Sequence, residues 1–332
     1  MSRRPLEMGV GFYSMQSTYM RPRRLSFVYE EAARETQLAE DLGFDVLWMG
    51  EHHHAYDSYC PSLIAAGAFL AGSTSRIVLA AGVLIVPHHR AERIAEASAA
   101  FQSMTPGRLR LAIGIGYWID EFDASGLPLS SRARLLDGTL DRLTVGDLRR
   151  RMGATELWSA QNSAAGIARA ARRGLPVLLA EGTPERVRAV REVYDPAFEE
   201  FEGSRPQVIV FRDVWVDRDP RRIEWVRGRL LEMWRNYGIA WVDDPSFHGG
   251  MALAEGQEAR LAQREQLAQG TSRFFVSGSP AEVVDELGRI VDAGADGFAF
   301  RIRFDGVGGP DLERCMEQLG HEVVPQLRRM AR

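Results

Sequence analysis

The sequence predicts an α/β protein of the (β/α)8, or TIM-barrel, class on two observations. Short apolar runs alternate with amphipathic segments along the 332 residues, as they do in repeated strand–helix units. Similar joints also recur between these units, with glycine placed where each helix ends. An open doubly wound sheet is disfavoured, because neither Gly9-Val10-Gly11 nor Gly114-Ile115-Gly116 completes the Gly-x-Gly-x-x-Gly pattern of that fold.

Eight apolar runs are predicted to be the barrel strands. They are Met8–Ser14, Val46–Gly50, Ile77–Leu84, Leu109–Ile115, Glu156–Ala160, Pro176–Ala180, Gln207–Val216 and Gly297–Arg303. Leu25–Leu42 is a predicted helix, because its apolar side chains recur on one face. A last helix is predicted over Leu312–Leu327, where apolar residues are spaced by three and four.

The joints between units carry recognisable helix ends. Gly43 and Gly294 each stand where a helix needs a left-handed residue before the next strand. Ser279 precedes a proline at the first helical position, and Glu282 completes a capping box with it. The whole chain, 1–332, is therefore predicted to be one barrel domain.

One stretch, at about 217–272, breaks this rhythm. It is longer than a single crossover and contains Trp234, Tyr237, Trp241 and the pair Gly249-Gly250. We interpret it as an insertion after strand seven that folds over the barrel mouth. A lid and a passive surface subdomain both fit this pattern.

The composition excludes several chemistries. All 41 basic residues are arginine, so the sequence excludes lysine Schiff-base enzymes, a pyridoxal-phosphate anchor and a phosphate loop ending in Gly-Lys. The net charge of −4 argues against nucleic acid as a partner, and Cys60 and Cys315 are too few for a disulfide framework. No signal-peptide or membrane-length apolar segment is recognised, so we expect a cytoplasmic protein without membrane contact.

Histidines concentrate at two predicted strand ends, where the active site of such a barrel lies. Glu51-His52-His53-His54 follows strand two, and His88-His89 follows strand three. Five of the seven histidines therefore come together at one rim. A barrel with only a structural role would not require this.

A metal site is the first explanation for these histidines. His52 and His54 alternate, so on an extended segment both point the same way, as in barrel metallohydrolases. The ends of strands five and six, however, offer Gln161, Asn162 and Glu181 rather than further histidines. A carbamylated lysine is also impossible here. We therefore expect no metal and favour an organic cofactor.

A set of motifs in a fixed order supports the cofactor explanation. The set is Gly43–Trp48 leading to Glu51-His52-His53, Thr74–Ile77, Gly82–Pro87, Gly107-Arg108-Leu109, Gly114-Ile115-Gly116, Glu121-Phe122 and Gly278–Val283. It resembles the bacterial luciferase-like monooxygenase family over nearly the whole chain.

The resemblance implies a (β/α)8 barrel that takes reduced FMN from a separate flavin reductase and uses oxygen to oxidise a small organic molecule. The same family includes barrels that transfer hydride with the deazaflavin F420, so this cofactor stays an alternative. A catalytically silent, flavin-binding partner subunit is a second alternative.

The resemblance also assigns site residues. His52 matches the catalytic histidine, and His53 is its neighbour and a second candidate. Val83 and Leu84 fall where the family places a non-prolyl cis peptide against the flavin ring. The remaining cofactor positions are Gly116, Tyr117, Asn162 and Ser163. The predicted substrate residues, which include an apolar wall that excludes water, are Phe12, Trp118 and Glu121.

Two departures from the family pattern concern the cofactor. Ile115 occupies the position where luciferases have a phosphate-binding arginine, so another arginine or backbone N–H groups must meet the phosphate. The stretch Leu143–Glu156 is also shorter than the family usually shows, which predicts a more open pocket. A homodimer is expected from the small-residue faces Ala65–Ala68 and Ala95–Ala100, which equally suit packing onto the barrel.

Overall fold

A computed structural model describes residues 5–17, 22–55, 57–180, 182–199, 206–241 and 257–330. Its strands are β1 (Glu7–Tyr13), β2 (Val46–Met49), β3 (Val78–Ile85), β4 (Leu109–Gly114), β5 (Glu156–Ala160), β6 (Val177–Leu179), β7 (Val208–Val216), β8 (Val276–Gly278) and β9 (Gly297–Arg301). All pairings are parallel, and the strands other than β8 close in the order β1-β2-β3-β4-β5-β6-β7-β9. The predicted eight-stranded TIM barrel is thus confirmed.

An extra strand lies outside this barrel. The short strand β8 runs beside the end of β7, with Val276 opposite Val214. The sequence prediction missed β8, because three residues are too few to show a hydrophobic period.

Helices follow the strands and cover the outside of the barrel. The α-helices are α1 (Leu25–Asp41), α2 (Leu63–Ala71), α3 (Ala91–Met104), α4 (Ile119–Ala124), α5 (Arg132–Thr144), α6 (Gly146–Arg151), α7 (Ala164–Ala171), α8 (Pro184–Glu199), α9 (Pro220–Trp241), α10 (Gln257–Ser272), α11 (Pro280–Asp292), α12 (Pro310–Gln318) and α13 (Val324–Met330). The prediction for α1 is confirmed to within one residue. The predicted last helix is instead broken by a π-helical turn at Leu319–Val323.

The predicted joints are present. Gly43 and Gly294 have φ angles of 81° and 109°, which a residue with a side chain adopts only at a cost. The Ser279 N–H donates to Glu282 Oε2 over 2.8 Å, as the capping box requires. These joints define where a helix ends or begins next to a barrel strand.

The barrel interior is a small core of its own. Trp48 and Trp158 fill it, and their ring centroids lie 6.3 Å apart. At the end where the strands begin, the buried Arg110 guanidinium lies 4.1 Å from the Trp158 ring centroid and donates to Glu7 and Glu156. The tryptophans and this ion cluster close the lower end, so only the upper end is available for a ligand.

The segment predicted as an insertion contains the helix pair α9 and α10, joined by the ion pair of Arg235 with Glu265. Trp234 on α9 lies over Arg301 at the end of β9, 4.7 Å from ring centroid to guanidinium carbon. Gly249-Gly250 and the side chains of Tyr237 and Trp241 lie outside the described residues.

Two expectations from composition can be compared with the structure. Cys60 and Cys315 are both free and buried. Among the described residues, none of the helices combines the length and the apolar character needed to cross a membrane.

Candidate active site

The predicted site residues meet at the carboxyl ends of the strands. β2 leads into Glu51–His54, called the histidine segment below. β4 leads into Gly116 and Tyr117, and β5 leads into Asn162 and Ser163. Parallel strands in a barrel bring all these ends to one rim. This rim is called the mouth below.

A chain of three side chains is the central feature of the mouth. The Tyr117 hydroxyl lies 2.9 Å from His52 Nε2, and His52 Nδ1 lies 2.9 Å from Glu121 Oε1. His52 is 8% exposed and Glu121 is fully buried, whereas Tyr117 is partly exposed. Tyr117 is therefore the end of the chain that faces the mouth.

The hydrogen-bond partners fix the proton positions in this chain. An ionised Glu121 only accepts, so His52 carries its hydrogen on Nδ1 and its Nε2 accepts from the Tyr117 O–H. The His53 backbone N–H donates to the same Glu121 Oε1 over 2.6 Å. This arrangement resembles a hydroxyl–imidazole–carboxylate triad, in which the carboxylate orients the imidazole and supports its positive charge.

A second carboxylate, Glu51, organises the other histidines. Its Oε1 lies 3.0 Å from His89 Nε2 and 3.3 Å from His53 Nε2, and its Oε2 accepts from the Ile85 N–H over 2.7 Å. Burial opposes ionisation of Glu51, but interactions with His53 and His89 outweigh it and lower its pKa to about 2. The Glu51 carboxylate in turn raises the pKa of His53.

The pair of alternating histidines considered in the metal hypothesis does not converge. Both ring nitrogens of His52 are engaged by Glu121 and Tyr117, and His54 is exposed with a φ of 56°. The chain turns at His54 and is not extended there, so the two side chains are not aligned.

The apolar wall of the mouth comes from partly exposed side chains on several strands. Phe12 has a φ of 61°, and its ring stacks 6.0 Å from Trp48 and meets Phe211 edge-on at 4.3 Å. Val83 is partly exposed on the same rim, and Trp118 lies 5.7 Å from His52 between ring centroids. Phe12 and Trp118 are both partly exposed at this rim, and their contact with substrate stays a prediction.

Three predicted positions need correction. The cis peptide joins Gly82 to Val83, one residue before the predicted Val83–Leu84 bond. Leu84 points away from the mouth and is 2% exposed within the core beneath the helices. Glu121, predicted to meet substrate, lies behind His52, because it is on the inner side of α4 and bonds to the histidine segment.

The two polar side chains after β5 accept hydrogen bonds from backbone N–H groups. Ser163 Oγ accepts from the Gly166 N–H and caps α7, while Asn162 Oδ1 accepts from the Ala180 N–H. Asn162 and Ser163 are both exposed at the start of this helix. Contact with a cofactor phosphate stays a prediction for these two residues, and backbone N–H groups of α7 suit that contact.

The structure also shows the surroundings of Ile115, which stands where luciferases have a phosphate-binding arginine. Ile115 packs against the core beneath the helices. Arg132, at the start of α5, donates to the Gly116 carbonyl over 3.3 Å. A guanidinium thus reaches the same rim from a different element, and no sequence motif indicated it.

The direct contact between Glu51 and His89 was not predicted. Both residues follow predicted strands at the same rim, but the contact of their side chains depends on the pairing of β2 with β3. Arg301 makes a bidentate ion pair with Asp213 and lies under Trp234. The register of β7 against β9 places that pair, and no sequence motif indicates it.

Comparison with known proteins decides the family. The family model described as luciferase-like monooxygenase matches residues 8–297 of the chain. The chain belongs to the luciferase-like monooxygenase family. The family resemblance and the enzyme class inferred from sequence are thereby confirmed.

This luciferase-like chain is similar to members that use different cofactors. It is 22% identical to the oxygenase component of the flavin-dependent trigonelline monooxygenase of Acinetobacter baylyi, over 90% of this chain and 89% of that protein. It is 23% identical to an F420-dependent glucose-6-phosphate dehydrogenase of Nakamurella multipartita, over 87% and 90% respectively.

A solved structure shares the fold of the luciferase-like chain. It is the oxygenating constituent of 3,6-diketocamphane monooxygenase from Pseudomonas putida, a type II Baeyer–Villiger monooxygenase in complex with FMN. The identity is 18% and the TM-score 0.70, over 97% of this chain and 98% of that chain. The family therefore includes flavin-dependent monooxygenases and F420-dependent oxidoreductases on one barrel.

Proposed function

We propose that the protein is a monooxygenase that uses reduced FMN and oxygen to oxidise a small organic substrate. The observation that carries the proposal is the Tyr117–His52–Glu121 chain at the mouth. It supplies an oriented proton donor and acceptor beside an apolar wall, which oxygen chemistry on a flavin requires.

The side chains at the mouth suit a flavin by their chemistry. Phe12, Val83 and Phe211 are apolar and partly exposed, and the histidine segment adds polar groups. Reduced flavin, when bound, would supply the electrons that activate oxygen. The chain's own residues then have to hold it, exclude water and move protons.

Proton transfer is assigned to His52 and Tyr117. His52 Nε2 accepts the hydroxyl hydrogen of Tyr117. When the Tyr117 oxygen takes a proton from a reactant at the mouth, its own hydroxyl proton can therefore pass to His52, and the reverse transfer gives a proton back. Glu121 stabilises the charge that develops on the imidazole. Because both nitrogens of His52 are occupied, His52 acts on the reactants through Tyr117.

Phosphate binding is assigned to the start of α7 and to Arg132. The exposed N-terminus of α7 presents N–H groups, which favour an anion. Arg132 brings its guanidinium to the Gly116 carbonyl on the neighbouring strand end. Arg132 would replace the arginine missing at position 115, and the side chains of Asn162 and Ser163 would hold the backbone in place.

The assembly and surroundings are also proposals. The trigonelline relative is named an oxygenase component, which supports a separate flavin reductase as partner.

A homodimer through α2 is supported by the exposed Ala65 and the half-exposed Phe69, whereas Ala95 on α3 is buried against the barrel. Light scattering of the purified chain tests the dimer. The cytoplasmic location stays a prediction.

An anaerobic titration tests the cofactor. Reduced FMN and reduced F420 are each added to the purified chain, and binding is followed by fluorescence before oxygen is admitted. We expect reduced FMN to bind and its reoxidation by oxygen to be altered in the bound state. Binding of F420 alone would instead support the hydride-transfer alternative, which the F420-dependent relative keeps open. Binding of reduced FMN with reoxidation by oxygen unchanged from that of free FMN would indicate a silent partner subunit.

Substitution of His52 tests the proton chain. We expect His52→Asn to lower kcat by about 10²–10⁴-fold, the usual contribution of general acid–base catalysis, with flavin affinity nearly unchanged. Tyr117→Phe should lower kcat as well, because His52 then has no route to the mouth. The exposed neighbour His54 provides the matched control His54→Asn, which should keep full turnover. Wild-type turnover in His52→Asn would contradict the proposed mechanism.

A further inference from the structure

Beside the proton chain, three side chains direct nitrogen and oxygen atoms toward a single point. One ligand atom from each of Glu51, His53 and His89 lies within 4.8 Å of the other two, and no other such group of three occurs in the part of the chain that the structure describes. Glu51 comes from the end of β2, and His89 from the end of β3. The proposed function uses neither Glu51 nor His89.

The spacing of these atoms suits a tetrahedral metal ion. Zinc binds nitrogen and carboxylate oxygen at about 2.0–2.2 Å, which places neighbouring ligand atoms about 3.2–3.6 Å apart. Glu51 Oε1 lies 3.3 Å from His53 Nε2, within this range, and 3.0 Å from His89 Nε2, a hydrogen-bond distance slightly below it. His53 Nε2 is buried, and its 3.3 Å contact with Glu51 Oε1 does not have the geometry of a good hydrogen bond.

The surroundings fix the three ligands as an outer shell should. The Ile85 N–H holds Glu51 Oε2, which leaves Oε1 directed at the two imidazoles. The His53 backbone N–H donates to Glu121. His88 adds a further ring, 5.4 Å from that of His53 between centroids, and its buried Nε2 makes no hydrogen bond within the described residues.

We propose that Glu51, His53 and His89 form a binding site for a divalent transition-metal ion, with zinc as its probe. Two imidazoles and one carboxylate are the donor set of borderline ions such as Zn²⁺, Ni²⁺ and Cu²⁺ rather than of Ca²⁺ or Mg²⁺. The fourth position is taken by water. This metal hypothesis differs from the one based on His52 and His54, since it leaves the proton chain intact.

A bound ion would position the catalytic segment. The His53 N–H and His52 Nδ1 donate to the same oxygen of Glu121, so fixing the His53 ring also fixes the backbone that holds this carboxylate. The ion thus has a positioning role and takes no part in electron transfer.

Zinc titration of the whole chain tests the site. The protein is made without an oligohistidine tag, treated with a chelator, dialysed and titrated with Zn²⁺ against a chromophoric chelator. We expect one Zn²⁺ per chain. His89→Ala and Glu51→Gln should each weaken the binding by more than the roughly 100-fold that loss of an outer-shell partner can cost. Far-UV circular dichroism establishes that both variants are folded.

A matched control and a second probe sharpen the result. His321 is exposed on the π-helical turn and absent from the cluster, so His321→Ala should keep one equivalent of Zn²⁺. Co²⁺ in the same site should give visible absorption bands typical of tetrahedral coordination, and these should disappear in His89→Ala. Absence of stoichiometric Zn²⁺ binding, or equal binding by wild type and folded His89→Ala, would overturn the proposal. Both readouts are independent of flavin and of turnover.

Discussion

The two ends of the barrel both bury charged side chains, but they treat them differently. At the lower end Arg110 donates to both oxygens of Glu7 and to Glu156, and it also lies over Trp158. At the mouth Glu121 is fully buried, yet its Oε2 has no hydrogen-bond partner among the described residues. The lower end is built for stability, whereas the mouth leaves polar groups available for function.

The same contrast appears in the loops. Acidic residues at the helix–strand joints accept hydrogen bonds from backbone N–H groups where neighbouring strands begin. These pairs are Glu40 with Ile77, Asp45 with Met8, and Asp296 with Val208. At the mouth, the buried Nε2 of His88 makes no hydrogen bond within the described residues, and that of His53 is no closer than 3.3 Å to Glu51 Oε1. Substitutions at the lower end of the barrel should therefore reduce stability, and substitutions at the mouth should reduce activity.

The largest expected effect is on the lower end. Arg110→Leu removes the cation that pairs with Glu7 and Glu156, whose side chains are 14% and 48% exposed. Loss of one partner of a buried ion pair costs about 3–5 kcal/mol of unfolding free energy. Because Glu156 reaches water, we expect a value near 3 kcal/mol, measured by urea denaturation.

The exposed ion pair of Arg93 with Glu96 gives a control for that measurement. Its side chains are 80% and 54% exposed, so Arg93→Leu should change the unfolding free energy by less than about 0.5 kcal/mol. Similar losses in Arg110→Leu and Arg93→Leu would remove the distinction between the lower end and an ordinary surface.

The second effect is on activity at the mouth. Glu121→Gln keeps the shape of the side chain but removes the charge that supports His52. We expect kcat to fall by about 10²–10³-fold, within the range of general acid–base catalysis. The unfolding free energy should hold or rise, since a buried carboxylate with one unpaired oxygen is lost.

Steady-state kinetics and urea denaturation on the same preparation separate the two outcomes for Glu121→Gln. A loss of several kcal/mol in stability with full turnover would mean that the mouth is organised like the lower end. The conservative change Glu121→Asp should recover part of the lost turnover if the carboxylate is what matters.

The features predictable from sequence are those that repeat along the chain. The barrel follows from the alternation of strands and helices, and Gly43 and Gly294 mark its joints because a left-handed φ favours glycine. His52 followed from a resemblance in motifs of fixed order. Each of these signals lies within a few neighbouring residues.

The features that could not be predicted depend on contacts between distant segments. Glu121 and His52 are 69 residues apart in sequence, and the sequence placed Glu121 against substrate instead of behind the histidine. The sequence predicted a shared rim for the histidines after β2 and β3, but the contacts of Glu51 Oε1 with His53 and His89 depend on the pairing of these strands. The position of Arg132 beside Gly116 depends on where α5 begins, which no motif indicates.

The smallest expected effect is a loss of stability when Glu40, at the end of α1, loses its charge. It tests whether the acidic residues at the helix–strand joints stabilise the lower end as ions. Burial opposes ionisation of Glu40, but hydrogen bonds from the N–H groups of Ile77, Arg76 and Ser75 lower its pKa from 4.5 to about 2. A lowered folded-state pKa contributes stability above pH 4.5, and that contribution is lost as the pH falls toward 2. Hydrogen bonds to a charged group are worth about 1.5–3 kcal/mol.

Glu40→Gln should therefore be less stable than wild type by about 1.5–3 kcal/mol at pH 7, and the difference should narrow as the pH falls below 4.5. Urea midpoints measured from pH 7 to pH 3.5 follow this change. Glu30 is exposed on the same helix, so Glu30→Gln should match wild type throughout. A gap between Glu40→Gln and wild type that stays constant with pH would show that the shape of the side chain, and not its charge, holds the start of β3.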